Sequence, residues 1–413
     1  MTFRQYHTIF QNQPFRWFWS GFTISVLGDG LSRVALTWFV YEATGSARAL
    51  GWLALCYTGP IIVGGLMAGM LLDRFDPRRV MMVDNLVRGL VMLLIPLLYL
   101  FGWLALWHIY AVAAIYGLLM MISLAGGPTL VPALVPSGQL ATANALEMLS
   151  FTIGGVISPV IAGLLIGWMG APNVVALDAL SYLCFAFCLT RVTMPAPTTP
   201  HADAKPRSGL SEAVQLLLHN PILLATTSMY LVLNIGSGFM AVWLPILADS
   251  LPGGGATLFG ALLGVIAAGE VISALLVGSM RFRLPLGTLI CLAEVLSGLA
   301  LIWLPISDQS WLIGSGLFLF GFCSAPLTIW AQTLRMQIIP AHLRGRTFAL
   351  LRMLMQSGNP LGGALAGGLF PVLGMSAMIA LTALVIGAPG VVGYMVRTLR
   401  VAGVAPVAAE EAV

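Results

Sequence analysis

Long apolar runs broken by short polar interruptions make up almost the whole chain. Each run approaches or exceeds the roughly 20 residues a helix needs to cross a bilayer. None shows the strict alternation of barrel strands, so the pattern predicts membrane-spanning helices. In chain order the runs cover 15–41, 50–72, 80–101, 106–130, 143–168 and 173–192, then 222–247, 256–280, 284–306, 311–332, 347–370 and 375–396. Between the two sets of six, 194–207 is rich in Pro, Ala and Thr and reads as a flexible linker. The stretch 211–219 has the pattern of a short amphipathic helix, expected to lie on the membrane surface. The expected organisation is therefore an N-terminal bundle (1–192), a cytoplasmic linker (193–221), a C-terminal bundle (222–400) and a disordered tail (401–413).

Composition agrees with this pattern. Of 413 residues, 59% are hydrophobic and 8% charged, against roughly 25% charged in a soluble domain. The mean hydropathy is +0.96. Positive charge fixes the expected orientation, because about fifteen of the 19 Lys and Arg fall on the side shared by the termini and the linker. Both termini are thus expected in the cytoplasm, with no cleavable signal in 1–14. The net charge of +4 is dispersed among loops, so nucleic acid is not an expected partner. The expected partners are the lipid bilayer, protons and a small-molecule substrate, with the chain acting as a monomer. Cys56, Cys184, Cys188, Cys291 and Cys323 all lie in apolar runs and read as small buried hydrophobes. No His lies mid-span or at metal-ligand spacing from another. No metal and no cofactor is expected.

The connection between the second and third runs reads Gly69-Met-Leu-Leu-Asp73-Arg74-Phe-Asp76-Pro77-Arg78-Arg79. Gly69 would let backbones approach closely, Asp73 could face the positive end of another helix, and the arginines hold the loop in the cytoplasm. The two halves also repeat weakly. At a spacing of about 204 residues Pro136 pairs with Pro340, Gly154 with Gly358, Ala162 with Ala366 and Gly163 with Gly367.

This connection resembles the signature loop of the major facilitator superfamily, Gly-x-Leu-Ala-Asp-Arg-x-Gly-Arg-Arg. Gly69, Leu71, Asp73, Arg74, Arg78 and Arg79 match it, whereas Asp76 and Pro77 depart from it. The fifth span's Gly154, Ser158, Pro159, Ala162 and Gly163 form a degenerate version of that family's antiporter motif, with Ser and Ala in place of two glycines. Leu27-Gly28-Asp29, Val135-Pro136, Ala145-Leu146, Asp178-Ala179 and Leu343-Arg344-Gly345-Arg346 resemble the branch of enterobactin and macrolide efflux proteins. The fourth span lacks the Arg-x-x-x-Gly motif of many proton-coupled exporters, so the resemblance does not supply their usual proton relay. It implies an all-α membrane protein of twelve transmembrane helices in two six-helix bundles. It also implies that the 69–79 loop is a conformational switch, and that the first, fourth, seventh and tenth spans line the path.

Charges inside spans are costly and usually functional, about 2.5–3.5 kcal/mol each on insertion scales. Asp29 and Arg33, one turn apart in the first span, are expected to pair and, with Glu270 of the eighth, to be the proton-coupling candidates. A structural ion pair locking helices is the competing reading for Asp29 and Arg33. For Glu270 it is a protonated interhelical hydrogen bond. Tyr116, Asn234, Trp330 and Gln332 sit in the path-lining spans and are substrate-pocket candidates, with ordinary interhelical packing as the alternative. Glu147, Asp178 and the Asp84/Arg88 pair lie near span ends, where scaffold or gate contacts are expected; Glu294 occupies the repeat position of Asp84. No nucleophile–base pair or phosphate loop occurs, so an enzyme is not expected. The reading is a secondary transporter, a proton-coupled multidrug or siderophore exporter working by alternating access in a bacterial inner membrane. A solute importer and a lipid or lysolipid flippase on the same fold are the rivals.

Overall fold

The computed structural model describes residues 8–193, 209–280, 284–306, 308–340 and 343–403, and among these no strand occurs. The linker 194–207 and the tail beyond 403 lie outside the described residues. Among the described residues, ten helical stretches are long and apolar enough to cross a membrane. One of them, Arg346–Met395, is 50 residues long and reverses at Gly374, whose φ of 73° favours glycine. It therefore crosses twice. Gln13–Thr44 adds a further crossing: it has the length, at 32 residues, but carries Arg16, Asp29, Arg33 and Glu42. The protein is thus an all-α membrane protein with twelve crossings.

The chain separates into two compact units. The first comprises 1–203 and 253–264, the second 204–252 and 265–413. The first unit contains α1 (Gln13–Thr44), α2 (Ala47–Thr58), α3 (Ile61–Arg74), α4 (Pro77–Leu100), α5 (Leu106–Leu134), α6 (Leu140–Met169) and α7 (Ala171–Arg191). Local chemistry sets these boundaries. Asn12 caps α1 by accepting from the Phe15 N–H at 3.1 Å, with Pro14 in the first turn. Gly45, at φ 57°, ends that helix by donating to the Tyr41 carbonyl at 2.7 Å. Asp76, which departs from the signature pattern, caps α4 by accepting from the Arg78 N–H at 2.9 Å. Pro77 then supplies the first turn.

The run 50–72 falls within one crossing, Ala47–Arg74, whose helix is interrupted at Gly59-Pro60 between α2 and α3, because proline lacks the N–H that would continue the ladder. One expectation needs revising here: Gly69 does not support close packing, since a Cβ there would meet open space. That role falls to other positions. Gly154 of α6 lies against Val26, and a Cβ at Gly163 would stand 2.6 Å from the Ala256 carbonyl oxygen. Ser158 Oγ donates to the Leu27 carbonyl at 3.0 Å, and Ala162 is fully buried. The antiporter-like motif thus packs α6 against α1 and against the start of the following unit-one segment. Gly163→Ala should lower the unfolding temperature of the detergent-solubilised protein, on the scale of overpacking, about 1–3 kcal/mol. An unchanged melting curve would show that the crossing relaxes freely.

The second unit contains α8 (Gly209–His219), α9 (Pro221–Ser250), most of α10 (Ala256–Ser279), α11 (Leu286–Leu299), α12 (Ser310–Ile338), α13 (Arg344–Gln356), α14 (Gly358–Met395) and α15 (Arg397–Arg400). The amphipathic α8 packs part of its apolar stripe on protein. Ala213 and Leu217 bury themselves with Leu223, Ile339, Leu343, Leu350 and Leu351 in one apolar cluster. Leu218 of the same helix stays exposed. Residues 401–403, expected to be disordered, form a turn, and the Ala402 carbonyl accepts from the Gly287 N–H at 3.1 Å.

Candidate functional site

The first unit gathers polar groups in its apolar interior from four helices. Asp29 of α1 accepts from Tyr116 Oη of α5 at 2.9 Å and from Tyr182 Oη of α7. Arg88 of α4 stands 3.9 Å from the same Asp29 oxygen and 2.6 Å from Asp84. Its guanidinium also donates to Ser123 Oγ, and Ser123 passes a hydrogen bond to Asp84 at 3.0 Å. Arg88 further donates to Tyr182 Oη at 3.4 Å and lies 4.5 Å from the centre of that ring. Tyr57 of α2 stacks on Tyr116 with centroids 4.6 Å apart.

The register of each helix explains the assembly. Asp84 and Arg88 are four residues apart and share one face of α4. Asp178, Ser181 and Tyr182 share one face of α7, with Ser181 Oγ donating to the Asp178 carboxylate at 3.0 Å. Gly28 lets α1 approach that face, since a Cβ there would stand 2.9 Å from Ser181 Cβ. The result is two carboxyls, Asp29 and Asp84, at one guanidinium, with Asp178 on the neighbouring face of α7.

Exposure separates the three acids. The Asp84 side chain is fully buried and that of Asp29 is 29% exposed; Asp178 is fully buried. Asp84 and Arg88 therefore form the buried ion pair of the cluster, while Asp29 is the carboxyl that reaches the molecular surface. Among the described residues, no three His, Cys, Asp or Glu side chains gather closely enough to hold a metal ion.

The structure redirects one expectation here. Asp29 does not pair with Arg33, which is exposed on α1 and offers its own carbonyl to Thr37 Oγ1 at 2.8 Å. The ion partner is Arg88, from another helix. One turn along a helix allows contact but does not compel it, and Asp29 points instead to the donors of α4, α5 and α7. Asp84 and Arg88, expected as end-of-span contacts, belong to the cluster, and so does Asp178's neighbour Tyr182. Tyr182 could not be picked out from sequence, because a single tyrosine in an apolar run carries no pattern.

The remaining candidates lie apart from this cluster. In the signature loop Asp73, Arg74 and Arg79 are exposed. Arg79 approaches Asp76 at 3.9 Å, and Arg74 lies over Phe75 at 5.8 Å. Arg78 donates from Nε to the Leu189 carbonyl at 2.8 Å and from Nη2 to the Thr190 carbonyl at 3.2 Å. It thereby satisfies free carbonyls at the end of α7. Glu147 is buried, with one carboxyl oxygen against Gly127. In the second unit Asn234 accepts from Asn359 Nδ2 at 2.9 Å. Trp330 and Gln332 are half-buried in the last third of α12, and Glu270 is exposed on α10. Glu294 is fully buried and, unlike Asp84, has no arginine in ion-pair contact among the described residues.

A family model described as Major Facilitator Superfamily matches residues 18–363. Among sequence relatives, the "Uncharacterized MFS-type transporter y4rN" of Sinorhizobium fredii is 26% identical over 84% of this chain and 85% of its own length. The "Enterobactin exporter EntS" of Escherichia coli O1:K1 / APEC is 28% identical, covering 84% of this chain and 82% of the relative. The "Multidrug efflux pump Tap" of Mycolicibacterium fortuitum is 24% identical over 90% and 93%. Among solved structures, the nucleoside transporter NupG superposes with a TM-score of 0.70 at 12% identity, covering 92% of this chain and 97% of that one. At that identity the likeness establishes the fold alone.

Proposed function

The chain belongs to the major facilitator superfamily of transport proteins, and on that premise we propose that it is a proton-coupled exporter of an amphipathic small molecule, a drug, macrolide or siderophore. The observation that carries this reading is Asp29, a carboxyl inside a span that two phenols and a guanidinium hold while part of it stays accessible. Two relatives named as an enterobactin exporter and a multidrug efflux pump support the direction.

Coupling follows from elementary electrostatics. Burial favours the neutral carboxyl, whereas Arg88 and the phenol donors favour the carboxylate. A conformational change that alters the distance to Arg88, or the access of water to Asp29, tips this balance and moves a proton. The superfamily's alternating access, in which two helical bundles rock about a midplane site, provides such a change. Each proton that enters gains about 2.3 kcal/mol per 100 mV of membrane potential. In this reading the termini are cytoplasmic, the protein acts as a monomer, and the 69–79 loop works as the switch.

Purified protein in proteoliposomes, with an imposed pH gradient, provides the test. Ethidium, erythromycin and a catecholate siderophore are the probes. At least one should accumulate against its concentration gradient, and a protonophore should abolish the accumulation. Gradient-independent equilibration of all three would remove proton coupling, and movement of none would remove the exporter reading.

A further inference from the structure

The second unit buries an arginine that no mechanism above uses. Arg335, in the last turns of α12, is 3% exposed. Its Nη2 donates to the Thr226 carbonyl of α9 at 3.0 Å, and its Nε has no hydrogen-bond partner. The guanidinium lies 5.6 Å from the centre of the Tyr230 ring. Tyr230 Oη and Thr328 Oγ1 share a hydrogen bond. Arg335 takes part in none of the ion pairs found among the described residues.

Arginine stays protonated in proteins, and a buried charge without a counter-charge is costly. Arg88 shows how this chain treats such a group elsewhere: two carboxylates attend it. Arg335 has a carbonyl and a ring. These soften the burial of a cation but do not neutralise it.

Helical spacing gives the site its shape. Thr328, Gln332 and Arg335 follow one another at four and three residues and share a face of α12. Tyr230 and Asn234 do the same on α9, and Thr328 and Tyr230 join the two stripes. Thr328 is exposed, while Tyr230 and Gln332 are half-buried. A polar strip thus runs from accessible hydroxyls to a buried, uncompensated guanidinium. The spare Nε–H and the planar fork fit an oxyanion better than any neutral group.

We propose that Arg335, assisted by Tyr230, Thr328 and Gln332, binds the anionic group of an amphipathic anion. The transported compound then carries a carboxylate or a comparable oxyanion on an apolar body. This rests on the exporter reading only for direction; the recognition itself is a property of the second unit. Two half-buried pocket candidates, Asn234 and Gln332, lie on the same strip.

Equilibrium binding to the purified full-length protein tests the proposal with two probes of the same ring system, 1-naphthaleneacetate and its neutral counterpart 2-(1-naphthyl)ethanol. Wild type should bind the acid more tightly than the alcohol. Arg335→Gln should weaken the acid about ten- to hundredfold, the scale of a charge-assisted hydrogen bond, and leave the alcohol within about twofold. Arg335→Lys should restore part of the loss, as a point charge without the fork. Retained alcohol binding shows in the same experiment that the variant is folded. Equal losses for acid and alcohol would make Arg335 a structural residue. Unchanged acid binding in Arg335→Gln, or no acid binding by wild type up to millimolar concentration, would equally overturn the proposal. Failure of the proteoliposome experiment with charge-selective binding intact would remove the direction of transport and leave the anion site standing.

Discussion

Asp29→Asn should abolish accumulation against a concentration gradient in proteoliposomes while downhill exchange of the same compound remains measurable. The amide has the carboxylate's shape and still accepts from Tyr116 and Tyr182 through its oxygen, but it cannot take up a proton. Its NH2 group brings no negative charge to Arg88. Arg88 nevertheless keeps Asp84 at 2.6 Å as counter-charge, so the variant should insert and fold. This separates coupling from scaffolding. A helix-locking role predicts loss of stability, whereas a proton-carrying role predicts loss of uphill transport with stability nearly unchanged. Asp29→Glu should keep partial coupling, since it restores a titratable group slightly displaced from the phenols. Full gradient-driven accumulation by Asp29→Asn, at equal reconstitution, would show that the coupling proton is carried elsewhere.

Arg88→Met should be the most destabilising single replacement in the first unit. It leaves Asp84 unpaired in a fully buried position and removes the donor that holds Ser123 and approaches Asp29. Breaking one partner of a buried ion pair costs about 3–5 kcal/mol, because the remaining charge is left uncompensated. In detergent this should appear as a large fall in melting temperature, or as failure to accumulate in the membrane. Arg88→Lys should recover little, since an ammonium cannot serve two carboxylates, a hydroxyl and a phenol in fixed directions. The double replacement Asp84→Leu with Arg88→Met should regain much of the stability, as apolar substitution of a buried pair often does. It should not regain uphill transport, because Asp29 then lacks the charge that opposes its burial. Normal stability of Arg88→Met alone would assign the cluster's cohesion to the tyrosines.

Both experiments turn on distinctions that the sequence carries only in part. The cost of charge in a bilayer is large enough that Asp29, Asp84, Arg88 and Asp178 stand out in any apolar run. Their cost in an apolar span is legible without coordinates. Which of them meet is not. The i,i+4 rule correctly pairs Asp84 with Arg88 and wrongly pairs Asp29 with Arg33. Spacing along one helix says that two side chains can touch, whereas the choice of partner depends on what neighbouring helices offer. For Asp29 those helices offer two phenols and a guanidinium.

The sequence by itself determined the membrane-spanning architecture. The bilayer imposes a length and a hydropathy on each crossing that few other folds share. It also determined several boundaries, because Asn12, Asp76 and Asn220 meet the backbone needs of the helix starts beside them. Tertiary structure alone decided the rest. It turned α8 onto protein and gave Arg78 the carbonyls at the end of α7. It also brought Arg88 to Asp29 and left Arg335 buried beside a ring and a carbonyl. These outcomes depend on how helix faces rotate against one another, and an apolar helix in lipid carries little moment to fix that rotation. Close contacts of small residues and the satisfaction of buried polar groups fix it instead, and both are properties of pairs of helices.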